Sequence, residues 1–290
     1  METCCAHAPA KINLFLRVTG KRSDGYHSLF SLMCPVALYD TLTLTLGGSG
    51  IRVRCDHPGV PEDASNLAAR AAWLFMETAF AGRSAPVSGL TIHIEKKIPV
   101  GAGLGGGSSD AAAVLRMLNG YYGQPLSRAT LAALGRRIGA DVPFFVSGVP
   151  SLASGIGDQL DPFPFLPPWT ALLVYPNQSV STAWVYKNLN LRLTKEEIKL
   201  NKFLFNGRSF NVGQHLVNDL ERVTQKVLPV INTIKRLLLE HGAAGALMSG
   251  SGSTVFGLFT ESGQAVSART ALCSNQCNQN WALHVADLLV

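Results

Sequence analysis

Polar and apolar positions alternate along several stretches of the chain with the period of a β-strand. Lys11 to Val18 alternates loosely and stops at Gly20, which predicts a strand. Residues 41–46 read Thr-Leu-Thr-Leu-Thr-Leu, the pattern of a strand with one buried face, and Ile51 to Cys55 is expected as its hairpin partner. Further strands are predicted at Thr91–Glu95, Leu172–Tyr175, Ala246–Ser249 and Thr254–Phe259. Helical spacing follows Ser65, which is expected to cap a helix beginning near Asn66. Other helices are expected from about Ser109 to Leu118, from a Ser127 cap to Ile138 with Gly139 as stop, and from Val212 to His241 with a break at Pro229. Residues 21–28 form a polar loop with an Asp-Gly turn signal. Residues 160–168 are proline-rich and read as a connection, while residues 187–211 are polar, weakly periodic and predict no element. The mixture predicts an α+β protein of two lobes, 1–155 and 156–290.

Composition narrows the class. The 290 residues allow one large domain or two of about 150 residues each. Apolar residues make up 47% and charged residues only 15%, which argues for a packed core and against disorder. The net charge of +6 is dispersed, with 14 basic and 10 acidic residues in 1–150 and 11 and 9 in 151–290. No basic run exceeds a pair, so nucleic acid, which needs a concentrated patch, is not the expected partner. A small anionic substrate suits the excess better. The cysteines Cys4, Cys5, Cys34, Cys55, Cys273 and Cys277 form no Cys-x-x-Cys pair and no zinc spacing. They read as reduced thiols of a cytosolic protein. No signal peptide is expected, and the uncharged stretches 162–186 and 242–260 hold too much proline or glycine for a membrane span.

Glycine is where the candidate chemistry lies. Five of the 28 glycines fall between Gly101 and Gly107, and five more between Gly242 and Gly257. The first cluster reads Pro99-Val-Gly-Ala-Gly-Leu-Gly-Gly-Gly-Ser-Ser-Asp110. Glycines let backbone N–H groups converge on an anion, and a following helix adds its own unsatisfied N–H groups and partial positive charge. Ser108 and Ser109 could cap that helix or donate to phosphate. No lysine closes a Walker loop. Gly101, Gly103 and Gly106 match a dinucleotide fingerprint by letters, but no acidic residue lies about 20 positions on to hold a ribose. The motifs of a protein kinase are absent. A hinge is the bland alternative.

Other residues keep two readings each. Asp141, between the stop at Gly139 and the next element, is a helix N-cap or a base for a hydroxyl proton. Lys11, on an otherwise apolar strand, is a solvated lysine or a charge for the reacting phosphoryl group. Tyr26, His27 and Tyr186 could stack on and read a nucleobase, or simply pack. Lys96 and Lys97 could reach a nucleotide or be solvated. Gly250-Ser251-Gly252 is a hairpin turn, a phosphate support, or both.

The loop Pro-x-Gly-x-Gly-Leu-Gly-Gly-Gly-Ser-Ser-Asp-Ala-Ala resembles the ATP loop of the GHMP small-molecule kinases, the family of galactokinase, homoserine kinase, mevalonate kinase and phosphomevalonate kinase. The resemblance implies the family's two-lobed fold, with a ribosomal protein S5 domain 2-like N-terminal lobe and a ferredoxin-like C-terminal lobe. It implies ATP as co-substrate with Mg2+, held mostly by the phosphates with no dedicated carboxylate cage. The ATP residues would be Pro99, Val100, Gly101, Ala102, Gly103, Leu104, Gly105, Gly106, Gly107, Ser108 and Ser109, with Asn66 near the adenine; Lys96, on the strand before the loop, is the further candidate for the phosphates or the adenine. Asp141 would be the catalytic base, with Lys11 beside it. The segments Ala8–Leu16, Arg22–Leu29, Gly139–Phe145, Gly155–Asp158 and Asn218–Glu221 most resemble a branch that acts on a cytidyl diphosphate sugar alcohol. On that resemblance, Asn13 contacts the acceptor end, cytosine lies between Tyr26 and Tyr186, and His27 reads its edge. Tyr186 stands where the family often has phenylalanine. The resemblance implies a cytoplasmic enzyme (plastid stroma in a plant-type source) with no obligatory protein partner. Residues 188–215 resemble nothing recognisable.

Overall fold

The computed structural model describes residues 2–82, 89–189, 210–274 and 280–290. The chain packs as two compact units, each made of separated stretches. The first joins Met1–Ala10, Leu38–Val100 and Gly105–Gly148, and the second joins Lys11–Ala37, Gly101–Leu104 and Val149–Val290. Two long strands contribute to both, β1 (Thr3–Lys21) and β2 (His27–Leu46). The first half of β2 escapes the alternation rule because Phe30–Val36 is buried throughout, and a strand covered on both faces reads as an unbroken apolar run.

In the first unit, residues 41–46 of β2 pair antiparallel with β4 (Gly89–Glu95), with Leu42 opposite Ile94 and Leu44 opposite Ile92. β3 (Gly50–Cys55) pairs with β4 in parallel, so it is not the hairpin partner of residues 41–46. The central place goes to the strand with the fuller apolar face. Arg52 and Arg54 of β3 are exposed, which suits an edge. The chain returns from β3 to β4 through α1 (Leu67–Ala79), the crossover that parallel strands require. Asn66, not Ser65, caps α1, its Oδ1 accepting from the Ala68 N–H at 2.9 Å. Ser65 donates instead to Asp63.

The buried alanines Ala68, Ala71 and Ala72 of α1 pack against α2 (Gly106–Tyr121), which buries Ala111–Leu115. α2 begins three residues before the expected Ser109. Gly105 is its N-cap in the left-handed region (φ 74°), and no side chain caps it. Ser108 and Ser109 thus lie inside the first turn. Packing of the alanine face overrides the poor helix propensity of glycine and serine. α3 (Arg128–Ile138) is capped by Ser127 and stops at Gly139, as expected, and α4 (Val142–Ser147) buries Phe144 and Phe145.

In the second unit, β5 (Ser151–Ser154) pairs with β2 and with β6 (Gln159–Pro162), so the expected 160–168 connection starts as strand. An antiparallel sheet runs in the order β11 (Ala282–Asp287), β7 (Thr170–Tyr175), β10 (Val255–Phe259), β9 (Gly245–Met248). Its helices are α5 (Thr182–Lys187), α6 (Val212–His215), α7 (Glu221–Val227), α8 (Val230–Glu240) and α9 (Ser262–Ser274). The expected helix from Val212 to His241 is interrupted by β8 (Val217–Asn218), which pairs in parallel with β1 at Phe15 and Leu16. Pairing with a buried strand satisfies these backbone groups better than a helix there would. Leu16 and Val18 of β1 join Leu172, Val174, Ile231, Ile234, Leu238, Val255 and Phe259 in this unit's core. Most of the stretch 188–215 lies outside the described residues. No helix among the described residues is long and apolar enough to cross a membrane.

Candidate active site

Within the second unit, the two glycine clusters meet. Gly103 has φ +79°, and a Cβ there would lie 2.3 Å from the Ser249 carbonyl oxygen and 3.0 Å from that of Gly252. Only glycine fits, on both backbone and space grounds. The Ser249 hydroxyl donates to the Gly103 carbonyl at 3.0 Å, and the Thr254 N–H donates to Ala102 O at 3.2 Å. The β9–β10 connection is therefore a hairpin turn that also cradles the loop. Its own shape is held by Asn218 on β8, whose Nδ2 donates to Met248 O at 2.8 Å and to Gly250 O at 2.7 Å.

Lys11 lies against this turn. Its side chain is buried with the residue 4% exposed, so the solvated reading fails. Lys11 Nζ donates to Asn13 Oδ1, and Asn13 Nδ2 donates to the Ser31 hydroxyl at 2.8 Å. The Lys11 N–H donates to Leu104 O at 3.0 Å. A Cβ at Gly250 would lie 3.4 Å from Lys11 Nζ and 3.5 Å from Asn13 Oδ1. One buried ammonium, one amide and two glycine segments thus converge, a set that can hold an anion or stabilise a developing negative charge. Asn218 was legible only as the first residue of the Asn218–Glu221 motif, with no role attached, and Ser249 and Ser31 carried no distinct sequence signal, since they act through a backbone carbonyl or another side chain.

Also in the second unit, the His27 ring stacks on Tyr186 with centroids 5.2 Å apart and an interplanar angle of 27°. Tyr26, one residue earlier, is 63% exposed. Burial, with the nearby Lys21 charge, lowers the His27 pKa from its ordinary value. The ring is therefore neutral at pH 7 and offers one donor and one acceptor. The Asp-Gly turn before it is fixed by the Tyr26 N–H donating to Asp24 Oδ1 at 3.0 Å.

The first unit carries the remaining candidates. Pro99 and Val100 are half-buried, and Gly105, Gly106 and Gly107 lead into α2. The first N–H groups of such a helix have no intrahelical acceptor. The Ser109 hydroxyl is buried without a hydrogen-bond partner. Asp141 is the N-cap of α4 by position, but its side chain makes no capping hydrogen bond. Gly139, two residues earlier, would bring a Cβ within 3.8 Å of Ser108 Oγ, so this segment runs beside the first turn of α2. Asn66 is occupied at both ends of its amide, capping α1 and donating to Pro61 O at 2.7 Å. The Lys96 side chain is neither solvated nor open to a phosphate. It is 4% exposed and bridges Asp40 and Asp110, the latter at 3.0 Å. Asp40 had a legible signal, an acid at an inward position of the alternation Leu38, Asp40, Leu42, Leu44.

The chain matches the family model for the GHMP kinases N terminal domain over residues 66–149 and that for the GHMP kinases C terminal domain over residues 200–279. It is 49% identical over 268 residues to the 4-diphosphocytidyl-2-C-methyl-D-erythritol kinase of Syntrophotalea carbinolica, covering 92% of this chain and 93% of that one. It is 44% identical over 290 residues to the enzyme of the same name from Pelobacter propionicus, covering both chains in full. A crystal structure of a 4-(cytidine 5'-diphospho)-2C-methyl-D-erythritol kinase superposes with a TM-score of 0.77 at 36% identity, over 98% of this chain and 99% of that one. A homoserine kinase from Cytophaga hutchinsonii superposes with the same TM-score at 20% identity, which shows the shared fold. The chain belongs to the GHMP kinase family and, within it, to the 4-diphosphocytidyl-2-C-methyl-D-erythritol kinases.

Proposed function

We propose that the protein transfers the γ-phosphoryl group of ATP to the 2-hydroxyl of 4-diphosphocytidyl-2-C-methyl-D-erythritol, a step of isoprenoid precursor synthesis. The observation that carries this reading is the convergence of buried Lys11 and Asn13 with the Gly101–Leu104 and Ser249–Gly252 segments. The names of the relatives supply the substrate.

Phosphoryl transfer asks the protein mainly for positioning and charge stabilisation. Backbone N–H groups of residues 101–107 and the first turn of α2 hold the ATP phosphates. Asp141 takes the proton of the acceptor hydroxyl as its oxygen bonds to the γ-phosphorus. The bond from that phosphorus to the β–γ bridging oxygen breaks, and ADP leaves. Transfer is direct, without a phosphoenzyme. Lys11 stabilises the charge on the transferring group, and Asn13 orients both Lys11 and the acceptor. Tyr26, His27 and Tyr186 take the cytosine, with the neutral His27 reading its edge. Asn66 supports the adenine side through its backbone segment.

The residues fit a magnesium ion bound largely through phosphates. The buried Ser109 hydroxyl has no hydrogen-bond partner and suits such an ion. Magnesium usually keeps several waters and takes one or two protein ligands beside phosphate oxygens, so Ser108 or Ser109 would serve. When bound, such an ion would neutralise phosphate charge. The dispersed basic excess and the reduced-thiol cysteine pattern support a cytoplasmic enzyme of small-molecule substrates.

The test is ADP release with magnesium-ATP and the cytidyl alcohol, beside homoserine and mevalonate. Turnover of the cytidyl substrate alone is expected. Turnover of another alcohol with none of this one would overturn the assignment.

A further inference from the structure

Asp40 is fully buried in β2. Its Oδ1 accepts from the Lys97 N–H at 2.7 Å and from the Ile98 N–H at 2.9 Å. Its Oδ2 accepts from Lys96 Nζ, and the same ammonium donates to Asp110 Oδ2 at 3.0 Å. Asp110 lies near the start of α2, with its Oδ1 buried and unpartnered. A Cβ at Gly106 would lie 3.0 Å from Lys96 Nζ, so the ammonium sits directly against the first residue of the helix. All of these residues belong to the first unit.

These contacts form one chain of links. Asp40 fixes the backbone at Lys97 and Ile98, where the glycine loop is entered. Asp110 fixes the helix start where the loop is left. Lys96 joins the two. A segment of seven residues, 101–107, five of them glycine, has high conformational entropy unless its ends are held. A buried ion cluster is a costly way to gain stability alone, since desolvation offsets much of the attraction, but it fixes geometry well.

We propose that the Lys96–Asp40–Asp110 cluster is a positioning device that holds both ends of the phosphate loop and thereby sets the affinity for ATP. This rests on the reading of residues 99–109 as the ATP loop. Burial and the second carboxylate push Asp110 up to about 7, while Asp110 and Asp40 hold the Lys96 ammonium above its ordinary value against the effect of burial. The Lys96 ammonium is thus engaged by both carboxylates.

The experiment compares Asp110→Ala with Asp110→Asn in the whole enzyme. Alanine cuts the link to Lys96 but leaves the neutral Lys96–Asp40 pair, so the fold is retained, which a thermal melt verifies. Expected is a rise in KM for ATP of about tenfold, with kcat and KM for the alcohol within about twofold of wild type. Asparagine keeps an acceptor for Lys96 and should restore KM for ATP to within about threefold of wild type. Equal changes in both KM values, or a lowered Tm with KM for ATP unmoved, would overturn the positioning role. Asparagine behaving as badly as alanine would also overturn it. Wild-type enzyme that binds no magnesium-ATP by calorimetry would instead remove the ATP-loop reading beneath it.

Discussion

Lys11 opens a strand whose remaining side chains are apolar, and lysine in such a place is ordinarily solvated. Its burial next to Asn13 and Gly250 gives it a different meaning, because a charge taken out of water needs a partner or a task. Asp141 presents the converse case. It occupies a helix N-cap position, yet its side chain does not make the capping hydrogen bond, so the cap reading gains no support from that contact. Asp141→Asn is expected to lower kcat by about 10²–10⁴-fold with little change in Tm; a loss under about threefold, measured by ADP release, would restore the capping role. His27 carries a pH prediction. With its pKa lowered, the ring is neutral through the physiological range and gains a proton only as the medium becomes acidic. Protonation removes its acceptor, so KM for the cytidyl substrate should rise on the acid side while KM for ATP changes less. His27→Gln should flatten that limb of the profile. These two residues were legible from the Asp-Gly-Tyr-His and Gly-Ala-Asp-Val-Pro segments. The occupation of Asn66 by its cap and of Lys96 by two acids was not, because both depend on partners distant in sequence.

At the scale of elements, the alternating and capped segments formed close to where their patterns put them. Residues 41–46, β7, β9, β10 and α3 belong to this group. Misreadings occurred where pairing or packing overrides local preference. β3 yields the central place to β4, β8 interrupts a helical pattern, and α2 starts on glycine. The glycine loop illustrates why. Its composition announces an unusual backbone, but only the 249–252 turn shows which glycine is indispensable. Gly103→Ala combines a left-handed φ with a 2.3 Å approach to Ser249 O. It should cost about 1–3 kcal/mol for the backbone alone, more with the clash, and raise KM for ATP. Gly107→Ala, whose Cβ would meet only Leu67 Cδ1 at 3.7 Å, is the control and should melt within a few degrees of wild type. Similar melting of the two would show that the contact yields at little cost.

At the scale of the whole molecule, the two compact units exchange stretches of chain, so a cut near residue 155 would leave neither complete. The second unit takes Lys11–Ala37 and Gly101–Leu104 from the other half. A fragment of residues 156–290 would lose the β1 partner of β8 and the buried Leu16 and Val18. Each such side chain contributes about 1.5–3 kcal/mol of burial, a large share of the 5–15 kcal/mol typical of a folded domain. The isolated fragment should therefore lack a cooperative thermal transition by circular dichroism; a sharp one would mark an independently folding domain. The sequence by itself determined the α+β class, the two glycine clusters and the family, because these rest on local periodicity, composition and contiguous motifs. The tertiary structure decided that Gly103 seats on the 249–252 turn, that Lys11 is buried, that Asn218 holds the turn and that Lys96 belongs to an ion cluster with Asp40 and Asp110. Each of those outcomes is a contact between residues far apart along the chain, set by how buried polar groups find partners once the strands have paired, and no local pattern encodes it.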